Sequence, residues 1–216
     1  MTKKVAIIGL AGGWQSAPWG DPSWERWSIN DGYLLFGPDR KCTRWFELHG
    51  DTPLTRARRN PDHFDRIRAM DIPVYYLHGN PPAPNAIKLD ADALAAVWRD
   101  YFTWTGSYQV ALALTEGFLE IAVYGAPLTG NREAVVERPC MAWWLGLAEG
   151  HGITVTVHHD DPTGLLRHPY RYALEDHEER TATYYASLAL RSSLDAWLPL
   201  EAERLGFAEP MMLEDA

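Results

Sequence analysis

The sequence predicts an α/β fold: a three-layer sandwich with a mostly parallel sheet and a C-terminal helical extension. Two observations point there. Short runs that are apolar throughout, such as Val5-Ala6-Ile7-Ile8, read as strands buried on both faces, as in parallel sheets. Between such runs the apolar residues recur at helical spacing, and strands alternating with helices give a sheet covered on both sides. No internal repeat and no linker divides the chain.

Each element has its own signal. Val5–Ile8 ends at Gly9 and opens into the glycine-rich turn Gly9-Leu10-Ala11-Gly12-Gly13, followed by a Trp- and Pro-rich segment to Trp24. Trp27-Ser28-Ile29 is a second strand closing on Asn30-Asp31, and the alternating stretch Arg44 to His49 is a third with a polar end. Asn60-Pro61-Asp62 opens a helix running to Met70, since a first helical turn tolerates the missing N–H of proline. Val74 to Leu77 is a fourth strand, and the loop holding Pro81, Pro82 and Pro84 is too poor in donors for a core element. Helical spacing runs from Asp90 to Phe102, and Thr105-Gly106-Ser107 starts a further helix that Gly117 stops. Leu119 to Tyr124 is a fifth strand ending at Gly125. Glu133 to Glu149 is helical, Ile153 to Val157 alternates as a sixth strand, and Glu178 to Leu205 reads as one long or two shorter helices.

The 216 residues carry 20 basic and 29 acidic side chains, a formal charge of −9, with 46% hydrophobic and 23% charged residues. These proportions fit a globular chain and exclude a disordered one. The expected division is one domain over residues 1–176 with a helical segment over 177–216 packed on it. No apolar run approaches the roughly 20 residues of a membrane span, and the run before Gly9 is too short for a signal peptide, so a cytoplasmic location is expected. Cys42 and Cys140 cannot supply a disulfide framework. The acidic balance weighs against general nucleic-acid binding, but Arg56, Arg58, Arg59, Arg66 and Arg68 form a local basic cluster. Five of the ten Trp (Trp14, Trp19, Trp24, Trp27, Trp45) lie early in the chain, where they suit either a core or stacking on a sugar or base.

In open parallel sheets a ligand sits beyond the carboxyl ends of the strands, where strand order reverses. Residues following each strand are therefore the candidates. The Gly9, Gly12 and Gly13 turn, with Trp14 beside it, lets backbone N–H groups approach a phosphate, although its spacing is not the dinucleotide fingerprint and no P-loop exists. Thr105, Gly106 and Ser107 start a helix, where free N–H groups and two hydroxyls favour an anion; an ordinary cap by Thr105 explains them equally. Asp31 and His49 end adjacent strands and are candidate general bases, with His168, which precedes a proline, behind them. His158-His159-Asp160-Asp161 invites a metal, but neighbouring strand residues face opposite ways and two such imidazoles rarely ligate one zinc ion; the stretch reads as a solvent-exposed turn, with a divalent ion on Asp160 or Asp161 as the alternative.

Three stretches, Val5–Gly13, Trp27-Ser-Ile-Asn-Asp31 and the run from Thr105 through Leu119 to Gly125, together resemble the Rossmann-like sialyltransferase-type glycosyltransferases of bacterial family 42. The resemblance covers residues 1–160 and implies that Gly9, Gly12, Asn30, Thr105, Gly106 and Ser107, with Gly125, surround the nucleotide of a sugar donor. It departs from the family in two places. The family continues Gly-x-Asp where this chain has Gly125-Ala126-Pro127-Leu128, and its catalytic His has only His158, His159 or His168 as counterparts. Arg138-Pro139 through Ile153 is similar to a helix of small bacteriophage proteins, which implies sugar transfer to hydroxymethylated bases of phage DNA. The expected function is transfer of a sugar from a nucleotide-sugar donor to an acceptor hydroxyl on a glycan or on DNA. A nucleotide-binding protein without catalysis, or a nucleotide hydrolase, would use the same crevice.

Overall fold

The computed structural model describes residues 2–37, 39–130, 132–161 and 164–166; His168 and the predicted helical segment 177–216 lie outside them. The described residues build seven strands: β1 (Lys4–Ile8), β2 (Trp24–Ile29), β3 (Arg44–Phe46), β4 (Val74–Tyr76), β5 (Ala86–Lys88), β6 (Glu120–Tyr124) and β7 (Thr154–His158). Five α-helices connect them: α1 (Pro53–Arg58), α2 (His63–Arg68), α3 (Ala91–Val97), α4 (Thr105–Thr115) and α5 (Ala134–Gly150). The strands form one sheet in the order β5-β4-β3-β2-β1-β6-β7, and every pairing is parallel. The chain moves outward from β1 through β5, then returns to the other side of β1 for β6 and β7. The β1/β6 boundary is therefore the point of reversal.

Strand alternation sorts the core. Val5 and Ile7 of β1, Trp27 and Ile29 of β2, and Ile121 and Val123 of β6 share one cluster with Val110, Leu114, Met141 and Trp144 from α4 and α5. The residues between them face the other way, where Ala6, Ile8, Ala122 and Tyr124 meet Trp14 and Ala17. Farther along that face, Trp45 and Val74 pack with Ile67 of α2. Residues with period-2 geometry and apolar side chains on both faces must be buried on both, which is why β1 and β6 carry no polar residue after their first position.

Two elements have no clear sequence signal. β5 is three residues long and follows the proline-rich loop, and α1 is a six-residue helix capped by Thr52, whose side chain accepts from the Thr55 N–H at 3.0 Å. Two predicted helices are shorter than expected. The 60–70 helix begins at His63 because Asn60–Asp62 form a turn, the His63 N–H donating to the Asn60 carbonyl. The 90–102 helix ends at Val97, where Trp98 turns its indole N–H onto Thr115 of α4 at 2.9 Å.

Candidate active site

The carboxyl rim of the sheet collects most of the predicted residues, because each lies just past a strand or at the start of α4. That helix delivers the chain to the amino end of β6, so its own start lies at the carboxyl rim. At the point of reversal the turn after β1 and the loop after β6 are stitched together. The Gly9 N–H donates to the Tyr124 carbonyl at 2.8 Å and the Ala11 N–H to the Gly125 carbonyl at 2.9 Å. Any side chain on Gly9 would sit 2.5 Å from the Gly125 oxygen, and one on Gly125 (φ +60°) would sit 2.5 Å from the Ala11 oxygen. Gly13, at φ +98°, lies against the His159 backbone, while Gly12 faces the Asp160 carboxylate. Close loop-to-loop packing thus accounts for these glycines. The N–H groups of Leu10 and Gly12 have no acceptor among the described residues.

Trp14 is not a stacking platform beside the turn: it is 9% exposed, and Phe36, Trp19 and the Arg40 guanidinium surround its ring. Trp45 is likewise buried, its indole N–H donating to the Asn30 carbonyl at 3.1 Å. Thr105 is not the cap of α4. Trp104 holds that position in extended conformation, and its indole ring folds over Gly106, the one residue type without a side chain in its way. The Ser107 hydroxyl turns back to the Trp104 carbonyl at 2.5 Å. The Ser107 hydroxyl is therefore engaged within the first turn of α4.

Asn30 stands differently. It follows β2 in left-handed conformation (φ 44°), and its side-chain oxygen is buried with no hydrogen-bond partner among the described residues. Leaving such an acceptor unsatisfied costs roughly 1–3 kcal/mol. Gln109, buried on α4, also lacks partners for both ends of its amide.

Beyond the ends of β2 and β3 lies a charged cluster. Glu47 follows β3 with a side chain that exposes no surface. Its Oε1 accepts from His49 Nδ1 at 2.9 Å and its Oε2 from His63 Nε2 at 3.0 Å. The other ring nitrogen of His63, Nδ1, is 2.8 Å from both Asp31 Oδ1 and the Tyr33 hydroxyl. Arg59 closes the group, donating to Asp31 Oδ2 at 3.3 Å and approaching Glu47 at 3.9 Å. Burial pushes the Glu47 carboxyl upward, but hydrogen bonds from His49 and His63 and the Arg59 charge outweigh it, leaving it at about 2. Burial opposes the charged form of His63 too, yet the two flanking carboxylates raise it above the ordinary histidine value. Asp31 is lowered overall, His63 and Arg59 overcoming the effect of burial.

These contacts separate the two predicted bases. Both oxygens of Asp31 are committed to cations, so it is a weak base. His49 has a side chain 58% exposed, and only Nδ1 is engaged. His63 has no sequence signal of its own, because it lies two residues past a proline in a stretch that reads as a plain helix. Its role depends on α2 folding back over the end of β3.

The arginine cluster is largely paired within the chain: Arg56 with Asp51 at 2.6 Å, Arg66 with Asp62 at 2.6 Å, and Arg68 with Asp51 at 2.6 Å and Asp65 at 3.0 Å. Asp161 accepts from the Thr129 hydroxyl. Among the described residues no three His, Cys, Asp or Glu side chains converge as ligands for an ion, and no helix is long and apolar enough to cross a membrane.

No protein-family model and no curated protein matches the chain. Solved structures do. The sialyltransferase CstII from Campylobacter jejuni, in complex with the substrate analogue CMP-3FNeuAc, is similar with a TM-score of 0.50 and 16% identity, over 77% of this chain and 83% of that one. The same enzyme with cytidine-5′-monophosphate gives a TM-score of 0.48 and 13% identity, over 85% of this chain and 99% of that one. The chain has a sialyltransferase-like α/β fold, as the resemblance implied.

Proposed function

We propose that this protein is a glycosyltransferase that takes a sugar from a nucleotide-sugar donor and passes it to an acceptor hydroxyl. The observation that carries this reading is the order of groups along the carboxyl rim. The turn after β1, the orphaned Asn30 oxygen after β2, and the Glu47–His49 pair after β3 stand at the ends of three adjacent strands. Neighbouring strands are about 4.8 Å apart, so the base lies about 10 Å from the turn, across Asn30. A donor whose phosphate meets the Leu10 and Gly12 N–H groups would extend past Asn30 towards His49. The similar fold of a sialyltransferase held with a CMP-sugar analogue supports the same class of donor, with cytidine nucleotides the first to try.

In this reading main-chain donors stabilise charge on the leaving phosphate. Asn30 Oδ1 accepts from a donor hydroxyl or amino group, and His49 removes the proton of the acceptor. Asp160, beside Gly12, repels a bare phosphate, so a divalent ion between them would strengthen donor binding. The pairing of Arg56, Arg59, Arg66 and Arg68 with carboxylates weakens the charge argument for a DNA acceptor and favours a glycan or other small hydroxyl compound.

Thermal unfolding with a panel of nucleotides, with and without magnesium, tests the reading. At a hundredfold excess over its dissociation constant a true donor nucleotide stabilises the fold by about 2.7 kcal/mol. No shift with any nucleotide under either condition overturns the proposal. Product formation from nucleotide sugar and water alone would make the protein a hydrolase.

A further inference from the structure

The transferase reading uses one imidazole, but the groups behind it form a continuous chain: His49, Glu47, His63 and Asp31. An ionised carboxylate only accepts hydrogen bonds, so a ring nitrogen that bonds to one must carry the hydrogen. His63 has a carboxylate oxygen 3.0 Å from Nε2 and another 2.8 Å from Nδ1, a nitrogen that the Tyr33 hydroxyl also approaches, and the two carboxylates favour its imidazolium form. His49 has its hydrogen on Nδ1, 2.9 Å from Glu47, which leaves the lone pair on Nε2.

We propose that Glu47, held in place by His63 and Arg59, is a positioning residue that fixes the tautomer and direction of His49 so that Nε2 takes the proton of the acceptor hydroxyl. The base role rests on the transferase reading above; the positioning does not.

Charge balance supports it. Asp31 and Glu47 are offset by the His63 imidazolium and the Arg59 guanidinium, so the cluster is neutral while His49 is neutral. The groups facing Glu47 are His49 from its own segment, His63 from α2 and Arg59 from the connection between α1 and α2. Asp31 and Tyr33 reach it through His63 and Arg59. In the reaction the acceptor oxygen bonds to the anomeric carbon as its proton passes to His49 Nε2. The bond from that carbon to the nucleotide phosphate breaks, and its electron pair leaves on the phosphate oxygen. The imidazolium formed on His49 then lies against the Glu47 carboxylate, which was ionised beforehand. A network that served stability alone would not need its last imidazole to be 58% exposed at the rim.

Nitrogen NMR of the full chain labelled at histidine tests this, with His49→Gln assigning one signal among the eight histidines. The expected wild-type result is the Nδ1–H tautomer for neutral His49. In Glu47→Gln the tautomer relaxes towards the commoner Nε2–H form. Its kcat falls towards the full contribution of a base, roughly 10²- to 10⁴-fold, while the donor KM is unchanged. An Nε2–H tautomer in the wild type overturns the proposal, even where the variant does not fold. An Nδ1–H tautomer in a protein that transfers no sugar overturns the transferase reading and the base role, and leaves the positioning standing.

Discussion

At the scale of single residues, the charged cluster makes stability depend on pH in two directions. Glu47 is buried yet ionised, with its folded value near 2 against an ordinary 4.5. A lowered carboxyl stabilises the fold above its unfolded value and loses that contribution as pH falls. On the order of 3 kcal/mol should therefore disappear between about pH 4.5 and 2. His63 is raised, so its contribution is complete below its unfolded value near 6.5 and is lost as pH climbs through the folded one. Urea midpoints measured across pH should form a plateau with an acid and an alkaline decline. His63→Gln should lower the plateau and flatten the onset of the alkaline decline; an unchanged alkaline limb would show that His63 is not an imidazolium. The sequence made His49 and Asp31 legible, since polar residues ending apolar strands face the rim of a parallel sheet. It could not divide their roles. That division depends on Arg59 and His63, which are brought in by two short helices whose fold-back leaves no periodic trace.

At the scale of elements, the glycine turn shows how one pattern serves two causes. Gly-x-x-Gly-Gly after a strand is a plausible phosphate cradle, and the same glycines are needed wherever two loops cross in contact. The close approach of Gly9 to the Gly125 oxygen, and of Gly13 to His159, explains them without a ligand. Only coordinates separate the two explanations, because the partner loop lies more than a hundred residues away in sequence. Gly9→Ala should therefore destabilise the fold by about 1–3 kcal/mol, since the new methyl group meets rigid backbone. Chemical denaturation of the nucleotide-free protein measures this. A neutral substitution accompanied by lost nucleotide binding would instead assign the glycine to the ligand. The start of α4 teaches a similar lesson. Its Thr-Gly-Ser signature predicted the helix correctly, but the cap belongs to Trp104, whose ring position depends on packing that local sequence does not encode.

At the scale of the whole molecule, the two rims of the sheet differ in how far their polar groups are satisfied. On the amino side Arg44 joins Glu116 through two bonds of 2.6 and 2.7 Å, reaches Glu25 at 2.8 Å, and lies over the Trp27 ring. That network is closed on itself and ties β2, β3 and the end of α4 together. The carboxyl side instead holds the exposed His49, an unsatisfied Asn30 oxygen and main-chain donors without acceptors. Parallel sheets gather ligands at that rim, and the imbalance agrees with the fold rule from independent chemistry. Arg56, Arg59, Arg66 and Arg68 are held by carboxylates, and the chain as a whole carries −9. Binding to duplex DNA draws on cations free to displace counterions, and this cluster offers few. A labelled duplex titrated at physiological salt should show no binding tighter than about 10⁻⁴ M, the weak end of the non-specific range. Binding in the micromolar range, weakening steeply with salt, would mean that the aspartates release the arginines to phosphate, and would return duplex DNA to the list of acceptors.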